Sequence, residues 1–114
     1  MSQSIFIKHR RTAFDGAQWD SAFREIHDPC NAGAKCEQSG DESGAIANYA
    51  KSIEIGERHG HQWLHAYSHA YERIIALLRR TPDIVTLEQY CRAYIANPVH
   101  ESTQNRINQI IQSI

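Results

Sequence analysis

The sequence predicts an all-α fold, a single domain (1–114) of about five helices in consecutive antiparallel hairpins. Three observations carry this prediction. Apolar residues recur at i, i+3, i+4 and i+7 over long stretches. Glycine and proline cut the chain into helix-length pieces. No stretch keeps a period-two alternation, and the one strand candidate, Ser4 to Lys8, is too short to build a sheet.

The first element is announced at Phe14-Asp15-Gly16-Ala17-Gln18-Trp19. Asp15 suits a cap, Gln18 closes a capping box and Phe14 can staple against Trp19. Trp19, Ala22, Phe23 and Ile26 then keep helical spacing, so a helix is placed at about 16–27 with residues 1–14 extended or flexible before it. Asp28-Pro29 signals a fresh start, and a short helix is placed from Pro29 to about Gln38. Gly40-Asp41 opens a helix of about 42–59 that stops at Gly60. Its face of Ala45, Ile46, Tyr49, Ser52, Ile53 and Gly56 includes a glycine that lets a neighbouring helix approach closely. The next helix, about 61–80, carries Trp63, Leu64, Tyr67, Ala70, Tyr71, Ile74, Leu77 and Leu78 on one broad stripe. Thr81-Pro82 ends it and caps a helix of about 83–96, whose Ile84, Leu87, Cys91, Tyr94 and Ile95 face inward. After Asn97-Pro98 a last helix of about 101–113 presents Ile107, Ile110, Ile111 and a docked Ile114.

Composition bounds what such a domain does. The chain has 114 residues, of which 41% are hydrophobic and 22% charged, the proportions of a soluble globule. Its net charge of -1 argues against a nucleic-acid binder, which needs a basic excess or stripe. No apolar run approaches a membrane span, and Ile5-Phe6-Ile7 is too short for the core of a signal peptide. Cys30, Cys36 and Cys91 are an odd, sparse set that reads as reduced thiols in a cytoplasm, with Cys91 on a core stripe.

Residues 26–59 resemble one tetratricopeptide repeat, the 34-residue helix–turn–helix unit. Gly33, Gly40, Ala45, Tyr49 and Ser52 stand where that motif takes a small residue, the turn glycine, a small residue, an aromatic and a small residue. Glu57 fits its tail. Pro29 and Cys36 depart from it, standing where the motif prefers large apolar or aromatic side chains. Leu64, Tyr67, Ser68 and Tyr71 match the first helix of a second unit, which then overruns the expected turn. The resemblance implies a truncated array of stacked hairpins with a peptide-binding groove, and it implies no chemistry.

Seven histidines are present, four of them crowded at His59, His61, His65 and His69. Spacing of four along one helix sets His61, His65 and His69 on one face, with Glu72 beside them. A pair of imidazoles one turn apart can share a divalent ion, and a carboxylate can complete the set. His61 and His69 lie about 12 Å apart by helical rise, so no single ion takes the whole ladder. Arg58-x6-His65 has the arginine-to-histidine spacing of HEPN-type ribonucleases, which are also small helical proteins, although His59 replaces the usual polar residue after the arginine. There is no nucleophile motif, no phosphate loop and no cofactor signature.

The sequence therefore points first to a helical interaction module. It self-associates or binds a protein or peptide partner through a helix face, with Tyr67, Tyr71, Tyr90 and Tyr94 as candidate contact residues. The alternative is a metal-dependent or HEPN-type ribonuclease-like enzyme centred on the His61, His65 and His69 cluster, with Glu72 joining the three histidines as a candidate metal ligand.

Overall fold

A computed structural model describes the backbone of residues 3–114 and the side chains of residues 20–114. Among the described residues there are five α-helices, one 3-10 turn and no strand, so the fold class is all-α. No described helix is long and apolar enough to cross a membrane.

The first helix, α1, runs unbroken over Gln3–Gln38. Two expectations fail here, a helix start at Asp15 and a second start at Pro29, and the backbone of residues 3–14, read as extended or flexible, lies in the helix. The expected capping box and the Phe14–Trp19 staple fall outside the described side chains. Pro29 lies inside the helix, where it removes one backbone donor. Continuity wins because the buried stripe of Ala22, Ile26, Cys30 and Gly33 keeps one period across the proline. Ser52 reinforces it from the neighbouring helix, its buried hydroxyl donating to the Ile26 carbonyl at 2.6 Å.

α1 closes on Gly40, whose φ of 82° is left-handed. The Asp41 amide donates to the Cys36 carbonyl and the Gly40 amide to the Glu37 carbonyl, a Schellman stop. Asp41 then caps α2 (Glu42–His59), its carboxylate accepting from the Gly44 amide at 2.9 Å. The bounds of α2 and its inward face of Ala45, Tyr49, Ser52, Ile53 and Gly56 agree with the sequence reading, and Gly60 ends it at a φ of 106°. Gly56 is required for close approach, since a β-carbon there would lie 2.2 Å from the Tyr67 ring. Side-chain contacts link Asn48 to Cys36, Tyr49 to Glu37, Ser52 to the Ile26 carbonyl and His59 to Glu25, so α2 runs back along α1.

The expected helix at 61–80 is two pieces. His61–Trp63 form a 3-10 turn, and α3 (Leu64–Leu78) follows, with Arg79 and Arg80 already in the turn beyond it. α3 is the centre of the core, burying Ala66, Tyr67, Ala70, Tyr71, Ile74, Ile75, Leu77 and Leu78. α4 (Ile84–Ile95) starts at Asp83, whose carboxylate accepts from the Thr86 amide at 3.1 Å. Leu87, Cys91 and Tyr94 face inward as expected, but Ile84, the first residue of the helix, is 51% exposed. α5 (Glu101–Gln112) buries Ile107 and Ile110. Ile114 lies beyond its end, 42% exposed, and is not docked.

Candidate functional site

The four candidate tyrosines come together, but as packing. Tyr71 on α3 stacks on Tyr94 of α4 at 4.7 Å between ring centres, and Tyr90 meets its edge at 6.3 Å. Tyr67 packs beside Tyr71 at 6.0 Å. The phenols of Tyr67 and Tyr94 donate to Asn97 and Glu72. Tyr67, Tyr71 and Tyr94 are buried, which pushes their hydroxyls far above the usual phenol range. They form part of the α3–α4 core. Tyr90 alone stays half-buried at the surface.

The histidine ladder does not form. His61 belongs to the 3-10 turn, so the four-residue spacing no longer sets it above His65. Its Nδ1 lies 2.7 Å from the Oδ1 of Asn97, a buried amide that also accepts from Tyr67 and donates to the Ala93 carbonyl. Glu72 turns toward α5, where Arg106 reaches both its oxygens at 2.7 and 2.8 Å. No group of three or more His, Cys, Asp or Glu among the described residues is placed to hold a metal ion. Arg58 extends along α2 to Glu54 at 3.8 Å.

His65 and His69 have a different setting. They stand on the side of α3 that faces α1, and with Phe23, His27, Cys30, Asn31, Ala34 and Ala66 they line a hollow of about 360 Å³. Its floor is apolar. The imidazole of His27 stacks on Phe23 at 5.0 Å, and that of His65 on Trp63 at 6.2 Å, so two rings have fixed planes. Burial pushes the Cys30 thiol up and makes it a poor nucleophile. One turn further along both helices Arg73 bridges to Glu37 with bonds of 2.6 and 3.0 Å, tying α3 to α1. The sequence reading missed the α1 wall because it ended a helix at residue 27. Phe23, His27, Cys30, Asn31 and Ala34 share helical spacing once α1 is continuous, and that was the signal available. Compared with known proteins, the chain matches no family model, no curated protein and no solved structure.

Proposed function

We propose that the chain is a small helical interaction module that seats a segment of a protein partner between α1 and α3. The observation that carries this reading is the hollow itself, an apolar floor between two helices, rimmed by three imidazoles and an amide. Such a rim donates and accepts hydrogen bonds, and the floor takes an apolar anchor. Burying one leucine-sized side chain there contributes about 2 kcal/mol, so binding also needs contacts along the flanking helices. The tetratricopeptide resemblance at 26–59 is compatible with this use of a helix-lined groove.

Selection from a displayed peptide library tests the reading, with Ala34→Trp as the comparison. Ala34 is half-buried in the lining, so the indole fills the hollow from its α1 side. Enriched peptides are expected to bind the parent chain and to lose about tenfold or more on the filled variant, whose circular dichroism stays unchanged. Peptides that bind both proteins equally, or a library that yields none, overturn the proposal.

A further inference from the structure

We propose that a second copy of this chain docks antiparallel on the outward face of α4, an interface independent of the α1–α3 hollow. Val85 is 68% exposed, the most exposed large apolar side chain described, and Ile84 beside it is 51% exposed. One to two turns further on, Gln89, Tyr90 and Ala93 line a hollow of about 220 Å³. Val85, Gln89, Arg92 and Ala96 are all exposed and share one side of the helix, so a protruding side chain and a recess lie along a single face.

A twofold contact requires a surface that is complementary to itself. Two features of α4 meet that requirement in registers one residue apart. A twofold axis passing beside Gln89 sets Val85 against the partner's Ala93, placing the protrusion in the recess. The charged side chains of α4 are Glu88 and Arg92, which pair with each other at 2.8 Å in the single chain. An axis passing beside Tyr90 sets Glu88 against the partner's Arg92 and Arg92 against the partner's Glu88. Shape and charge thus place the axis within one residue, about 1.5 Å of helical rise.

One helix face is smaller than a standard interface, so the dimer is expected to be weak, with a midpoint near about 0.1 mM. Sedimentation velocity from 10 µM to 1 mM reads it directly. The parent chain is expected to pass from monomer to dimer over that range. Val85→Glu and Glu88→Arg each raise the midpoint about tenfold or more, the second by facing arginine with arginine. The double reversal Glu88→Arg with Arg92→Glu restores opposite charges across the axis and returns the midpoint to within about threefold of the parent. Gln89→Glu, which brings two like charges together near the axis, gives the same loss as Val85→Glu from a second exposed site. A chain that stays monomeric throughout overturns the proposal. So does a Val85→Glu protein that associates like the parent, or a double reversal no stronger than Glu88→Arg alone.

Discussion

Glu37 ties three helices together through one carboxylate. It sits in the last turn of α1, takes two bonds from the Arg73 guanidinium of α3 and accepts the Tyr49 hydroxyl of α2 at 2.5 Å. Its side chain is 21% exposed, so solvent screens the pair only in part. The Arg73 guanidinium holds the Glu37 carboxyl below the usual carboxylate range and the Tyr49 hydroxyl adds to this, while burial works against both. A carboxyl lowered in the folded state stabilises fully above its unfolded value, and that contribution is lost as pH falls through the folded one. The window therefore lies below the ordinary glutamate value of about 4.3. Glu37→Gln is expected to cost about 1–2 kcal/mol at pH 7. It should also lose less stability than the parent between pH 5 and pH 3. Urea unfolding at several pH values measures this. Parallel decline of the two proteins would show that the Glu37–Arg73 bridge contributes nothing to the pH dependence.

At the scale of the element, α1 is decided by a competition between one local signal and one distributed one. Pro29 removes the hydrogen bond from position 29 to the Glu25 carbonyl and crowds that carbonyl, a cost of about 3 kcal/mol in a helix interior. Against it stand the buried stripe of Ala22, Ile26, Cys30 and Gly33 and the Ser52 hydroxyl on the Ile26 carbonyl. Pro29→Ala restores the bond while giving back some unfolded-chain entropy, so a net gain of about 1–2 kcal/mol is expected. Thermal unfolding checks it, and a loss instead of a gain would mean that Pro29 opens a separate helix. The same competition explains what was legible in the sequence. α2 was readable to the residue because Asp41, Gly56 and Gly60 act locally, through a cap, a close approach and a left-handed stop. The α1 wall of the hollow was not, because a proline reads as a boundary until the packing on both sides of it is known. The split of 61–80 was equally hidden, since nothing local marks His61 as a 3-10 residue. Its bond to Asn97 spans 36 positions. The apolar stripes that carry Tyr67, Tyr71 and Tyr94 were legible in the sequence, but that α3 and α4 cover each other along them was not, because one helix alone does not show its neighbour.

For the whole molecule, the distribution of burial sets the order in which parts open. α3 contributes eight buried side chains, including both central tyrosines, whereas α5 contributes Ile107 and Ile110 alone. Ile111 packs partly buried beside them, and the Arg106–Glu72 bridge, with both partners at least 35% exposed, is worth under about 1 kcal/mol. Helices that bury little apolar surface open without unfolding the rest. α5 is therefore expected to open while α1, α2 and α3 stay closed, and its amides should exchange about a hundredfold or more faster than the core amides of α3. Native-state hydrogen exchange resolves this residue by residue. Ile107→Ala, which empties a fully buried site, should lower α5 protection by a further amount corresponding to about 2–4 kcal/mol and leave α2 protection unchanged. Equal protection in α5 and α3 would instead make the chain one cooperative unit. The distinction matters for α4, which sits between the dense and the thin parts. If α5 opens alone, the outward face of α4 keeps its shape, because Leu87, Cys91 and Tyr94 hold that helix from the inner side.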